Sequence, residues 1–271
     1  MKQDHSRGSV RSPAVAGSFY PSDSEELRAS VDEMLAAATL AETEIRGKFL
    51  IVPHAGYRYS GPVAATAYRF LAAMPPSRRV VVVGPSHFLA FHGLATPGTE
   101  YLATPLGVVA ADVELTAMAE AHPAVVPNRV AHAREHSIEV QLPFLQVVLG
   151  EFFVLSLLTG AVEPETVAVL LDELIENEGV VAVISSDLSH YLDYEAARVR
   201  DTRSARAIVA LRPDDLAWGD ACGLTGVQAA LLVAGDRGWG CSLVDLRSSG
   251  DTAGDRNSVV GYGSFVIGPA R

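Results

Sequence analysis

Residues 80–87 read VVVVGPSH. Four successive valines are too short for a membrane span. They suit a strand buried on both faces of a parallel sheet. Gly84 and Pro85 should end that strand and deliver Ser86 and His87 just past it. In open α/β sheets, ligands bind outside the carboxyl ends of the strands. The pattern recurs: FLIVPH at 49–54 and VVAVISSDLSH at 180–190 are also apolar runs that finish in histidine. His54, His87 and His190 are thereby expected at one sheet edge.

Working outward, the remaining apolar runs predict strands at 153–158, 241–247 and 258–267, with 49–52, 80–83 and 180–185 already placed. Helices are predicted between them. One opens with a capping box of Ser22 and Glu25 and runs to 38. Another starts at Gly61-Pro62 and runs to 74, and others cover 112–121, 164–176, 194–211 and 227–234. Pro143 inside the helical pattern of 138–149 implies a kink or a late start. A long loop is expected to hold Phe88, Phe91, His92 and residues 101–107. Strand–helix alternation predicts a single α/β domain over 13–271, with a mostly parallel central sheet flanked by helices. The final two strands have no helix between them and are expected to be antiparallel. Residues 1–12 are polar and read as a disordered tail.

With 271 residues, 49% of them apolar, the chain can bury a substantial core. A net charge of −11 disfavours nucleic acid and anionic membranes as partners, because both reward cationic surface. Two cysteines make no disulfide framework. No stretch approaches the roughly 20 apolar residues of a spanning helix, and a cytoplasmic setting is the default.

His54 in PHAGYRYSG and His87 in GPSH suit metal ligation, since imidazoles from neighbouring strands can converge on one cation. Either could instead be a loop histidine satisfied by hydrogen bonds. Asp187 and His190 in SSDLSHY resemble a carboxylate–imidazole pair for proton transfer, although Asp187 could equally cap a helix. Glu135 and His136 form a similar pair at an expected helix start and are placed at the pocket lining, with Ser86 and Tyr57. Cys222 is a candidate thiolate ligand, with Asp220 as a rival oxygen donor. Cys241 reads as core, and His5, His122 and His132 as surface. Signatures of α/β hydrolases (GxSxG), phosphate loops, Rossmann nucleotide sites, HExxH zinc sites and CxxC are absent. Ser86, Asp187 and His190 could still mimic a hydrolytic triad.

AGSFYP, PHAGYRYSGPVAATAY, GPSHF, EHSIEVQLPFLQ, ISSDLSHY and ACG, in this order, resemble the Memo family. The resemblance spans nearly the whole chain. It implies a fold similar to class III (LigB-type) extradiol ring-cleaving dioxygenases, which hold non-haem iron with two histidines and a glutamate. It also implies iron or copper held by His54, His87 and Cys222, with His190 as the acid/base and Asp187 beside it. A thiolate in place of the glutamate favours copper(I) or a redox role over oxygen chemistry at Fe(II). Eukaryotic members have a histidine soon after the cysteine and glycine, where this chain reads CGLTG. Family association suggests AMMECR1-like and radical SAM proteins as pathway partners. Three functions follow as expectations: a metal-dependent redox enzyme, a metal-carrying or partner-binding module using the same cleft, and a metal-dependent hydrolase.

Overall fold

The strands β1 (Val10–Arg11), β2 (Phe49–Val52), β3 (Arg79–Pro85), β4 (Leu94–Thr96), β5 (Tyr101–Thr104) and β6 (Gly107–Ala111) come from the first half of the chain. The second half supplies β7 (Val125–Pro127), β8 (Phe153–Thr159), β9 (Val180–Ser185), β10 (His190–Leu192), β11 (Gly240–Ser248) and β12 (Val259–Gly268). This computed structural model describes residues 9–40, 43–74 and 77–270. The strands form one sheet in the order β1-β5-β6-β8-β3-β9-β2-β12-β10, with β11 on β12, and β4 joining β8 to β7. The central run β6-β8-β3-β9-β2 is parallel throughout. As expected, the closing pair β11 and β12 is antiparallel.

Why the central strands are apolar at every position follows from what covers the sheet. Val81 and Val83 of β3 point with Ile51, Leu155, Leu157 and Ile184 into one core cluster, shared with the helices Pro164–Ile175 and Leu224–Asp236. Val80 and Val82 point with Leu50, Val52, Val154 and Val183 into a second cluster, against the helices Ser24–Ala37, Tyr57–Ala72 and Leu142–Leu149. Successive strand side chains face opposite layers. Each of these four valines is at most 1% exposed. Burying one such side chain stabilises the fold by roughly 1.5–3 kcal/mol.

Several local expectations need correction. β3 continues through Gly84 and Pro85 instead of stopping. β9 pairs with it only as far as Val83, so Pro85 lies on a one-sided stretch where a missing N–H is tolerated. Gly84 serves close approach: a Cβ there would lie 2.6 Å from Ser137 Oγ. The second helix starts at Tyr57, not at Gly61, and carries Pro62 inside it. Gly61 is where Met34 presses on this helix, 2.4 Å from a hypothetical Cβ. The first helix is capped by Asp23, whose carboxylate accepts from Glu25 and Glu26 N–H, and not by a Ser22–Glu25 box. Pro143 marks a late start, at the first turn of Leu142–Leu149 after a 3-10 turn. The long loop contains β4, β5 and β6, each too short to stand out by periodicity.

Part of the expected N-terminal tail is ordered. Residues 1–8 lie outside the described residues, but Val10 and Arg11 pair with β5. Behind them, the buried carboxylate of Glu139 is ion-paired with Arg11 and accepts from the main-chain N–H groups of Ala14 and Val15 and from the Tyr20 hydroxyl. That knot ties the AGSFYP loop to the sheet edge. Among the described residues no helix is long and apolar enough to cross a membrane.

His132, expected at the surface, is 3% exposed and hydrogen-bonds Ala95 O through Nε2 at 2.8 Å. Burial lowers its pKa from 6.5 to about 4. Between those values the unfolded chain binds the extra proton and the folded chain does not, so stability rises with pH there. We expect full stability above about pH 6.5 and a loss of about 3 kcal/mol from this residue as pH falls to about 4. Urea unfolding at pH 7 and near pH 4 should show a smaller difference for His132→Gln than for the wild type.

Candidate metal centre

The parallel register brings the strand ends together. Val52 of β2 lies opposite Ser185 of β9, and Val83 of β3 lies opposite Ile184. His54 therefore leaves the sheet beside Asp187, with His87 next to both. The segment between the helix Arg129–Ala133 and the 3-10 turn Glu139–Gln141 crosses the same edge. Ser137 Oγ anchors it to Pro85 O at 2.8 Å. That crossing brings in His136.

One ring nitrogen from each of His54, His87 and His136 lies within 4.8 Å of the other two. The His87 and His136 rings stack at 4.7 Å, and His54 meets both edge-on at 5.2 and 5.5 Å. His87 Nδ1 is 2.9 Å from Glu135 Oε1, which leaves its Nε2 for the cluster. His54 Nδ1 is 2.9 Å from Ser185 Oγ, and its Nε2 faces the cleft. The Nδ1 of His136 is buried 3.3 Å from Glu135 Oε1, without a well-formed hydrogen bond.

Two of the three imidazoles, His54 and His136, are held in the neutral form. Burial drives the His54 pKa well below its ordinary value, and the neighbouring His87 and His136 push the same way. Burial also lowers His136 to about 4, against the pull of Glu135. Burial opposes ionisation of Glu135, but the His87 ring and the N–H groups of His87 and Ser137 hold it at about 2. A carboxylate that orients one imidazole beside two neutral ones is the donor set a divalent transition metal takes.

A sequence model of the family described as Memo-like protein matches residues 11–266. The chain belongs to the Memo family. A MEMO1 family protein of Aquifex aeolicus is 37% identical, with 95% of this chain and 99% of that protein aligned. One from Methanopyrus kandleri is 38% identical over 95% and 98% of the two chains. The solved structure of the uncharacterized protein JW3007 from Escherichia coli superposes with a TM-score of 0.51 over 82% of this chain and all of that one. At 15% identity it supports the fold alone.

In this Memo-family chain the other predicted site residues fall into three groups. Cys222 reaches the cluster only through His54, with Sγ 3.2 Å from His54 Nε2. Its thiol also accepts from the Asp187 N–H at 3.2 Å, and burial together with Asp187 pushes its pKa up. Asp220 is no rival ligand. It is fully buried, and its carboxylate is taken by Arg200, Arg203 and the Ala217 N–H.

Asp187 and His190 are not a hydrogen-bonded pair. Asp187 caps no helix either, because residues 190–192 form β10 against β12. Asp187 accepts from the His54 N–H at 2.7 Å and pins the β2 exit loop. Burial raises its pKa to about 6 even so. His190 Nδ1 sits 2.8 Å from Leu188 O, which only accepts, so Nδ1 carries the proton and Nε2 is bare in the neutral ring.

Tyr57 does not line the pocket. Its ring is buried against Phe144 and Tyr20, and its hydroxyl donates to Val140 O at 2.7 Å. Ser86 donates to Leu89 O at 2.7 Å, so its hydroxyl turns into its own loop and makes no triad with His190. Glu135 does not stand at a helix start; it grips His87 and its own loop. His136, expected only as pocket lining, is a member of the cluster. Nothing in its sequence spacing showed this, because the loop crossing depends on contacts between Gly84 and Ser137. Gly223 holds Cys222 in place, since a Cβ there would lie 2.7 Å from Ser185 O and 2.8 Å from Ser186 Cβ. Gly223→Ala should cost about 1–3 kcal/mol by overpacking, read as a lower thermal midpoint of the metal-free protein.

Proposed function

We propose that this Memo-family chain binds one iron or copper ion through His54, His87 and His136, with Cys222 beside His54, and works as a metal-dependent redox protein. The convergence of three imidazoles, with one ring nitrogen of each within 4.8 Å of the other two, carries the proposal. The residues fit a metal. His87 is oriented by a carboxylate and His54 by a hydroxyl, and the same carboxylate lies 3.3 Å from His136 Nδ1. A bound iron or copper ion supplies one-electron chemistry and a Lewis-acid centre.

The chain's own groups supply the rest. His190, with Nε2 bare, accepts a proton from a hydroxyl in the cleft. Asp187 holds the His54 loop so that the ring does not swing away. The side chain of His87 is 29% exposed, which leaves an approach from solvent. Phe88, half exposed, and Arg134 stacked on it at 5.2 Å edge that approach. A thiol near His54 favours copper(I), whereas three imidazoles suit iron(II) as well. AMMECR1-like and radical SAM proteins are the proposed pathway partners.

Anaerobic titration with Fe(II) and with Cu(I) against a competing chelator tests the metal. We expect about one equivalent per chain in the wild type and a loss of binding in His87→Ala. Glu135→Gln should weaken binding about 10–100-fold, because the carboxylate no longer polarises His87. Wild-type affinity no better than that of His87→Ala for both ions would falsify the metal site. Oxygen uptake by the iron-loaded protein with catechols then separates the two functions. Uptake that His190→Ala abolishes supports a redox enzyme, and none with any diol favours a metal-carrying module.

A further inference from the structure

Beneath the cluster lies a buried hydrogen-bond chain. Tyr68, Gln141 and Ser185 are each at most 1% exposed. They come from three separate elements: the helix Tyr57–Ala72, the 3-10 turn Glu139–Gln141 and β9.

Ser185 Oγ has three neighbours. It lies 2.5 Å from Ser137 O, 2.7 Å from Gln141 Nε2 and 2.9 Å from His54 Nδ1. A hydroxyl has one hydrogen to give and two lone pairs to receive with. The Ser137 carbonyl can only accept, so it takes the hydrogen. The Gln141 amide also faces the Pro53 carbonyl, through Nε2 at 3.0 Å. A carbonyl needs a donor, so the NH2 side of the amide is the side turned toward Pro53 and Ser185. Its other end, Oε1, accepts from the Tyr68 hydroxyl at 2.7 Å. Gln141 therefore fills one lone pair of Ser185, and the second is left for His54.

We propose that Ser185 and Gln141 are positioning residues that fix His54 as the Nδ1–H tautomer and so aim its Nε2 lone pair into the cleft. The opposite tautomer would need the Ser185 hydrogen at His54 Nδ1, which strips the buried Ser137 carbonyl of its partner. Leaving such a buried acceptor without a donor is unfavourable, because it has given up its water and gained no partner. The tautomer is thus set by the folded chain before any ligand arrives. The consequence for metal affinity rests on the proposed metal site, while the tautomer itself does not.

The test uses the metal-free protein labelled with 15N-histidine and a two-bond 15N–1H correlation spectrum. The wild type should show the proton of His54 on Nδ1. Ser185→Ala should move it to Nε2, where Cys222 Sγ at 3.2 Å can accept, and should weaken metal binding about 10–100-fold. Ser185→Thr keeps the hydroxyl and should restore both. A wild-type spectrum with the proton on Nε2 overturns the proposal whether or not the variants fold. So does a folded Ser185→Ala protein that keeps Nδ1–H and wild-type affinity. A wild type with Nδ1–H that binds neither iron nor copper overturns the metal site and leaves the tautomer assignment standing.

Discussion

The parallel ladder of β3, β9 and β2 is the constraint from which the site follows. These strands are buried on both faces, so they are apolar at nearly every position and hold one register. Pairing of Val52 with Ser185 and of Val83 with Ile184 brings three strand ends to one edge. A shift of one residue would turn every side chain of a strand into the opposite layer. The cores on the two faces therefore enforce the register, and the register places His54, Asp187 and His87 side by side.

Beyond the ladder the main chain leaves regular structure, and its N–H groups need partners. Buried carboxylates supply them. Glu135 binds the loops of His87 and Ser137, Glu139 binds the N-terminal loop, Asp187 binds the His54 loop, and Asp220 binds the turn before Cys222. Each acid either meets a cation or sits where several donors converge. This explains how an acidic chain tolerates so many buried carboxylates near one site. It also divides labour at the cleft, where imidazoles face inward and carboxylates hold the loops behind them.

The site is asymmetric in depth. His54 is 2% exposed and lies against Cys222, while the His87 side chain is 29% exposed and faces the solvent approach. The Phe19 ring packs against His136 at 4.7 Å, tilted by 49°, so the N-terminal loop walls one side. The knot around Glu139 thus acts on the site as well as on stability, because it positions that loop.

Local sequence determined the central strands, the antiparallel closing pair, the family, and His54 and His87 as strand-end histidines. Those features are written in runs of adjacent residues, where apolar continuity or a motif is enough. Tertiary structure alone decided that His136 joins them, that Asp220 is spent on two arginines, that Asp187 serves the main chain of His54 and not His190, and that Tyr57 and His132 are buried. Each of these depends on which distant segment lies opposite. A partner on another element leaves no local period to read, as with Gly84, whose missing side chain admits Ser137. The chain's own periodicity specifies the layers, and only their packing specifies which polar groups meet between them.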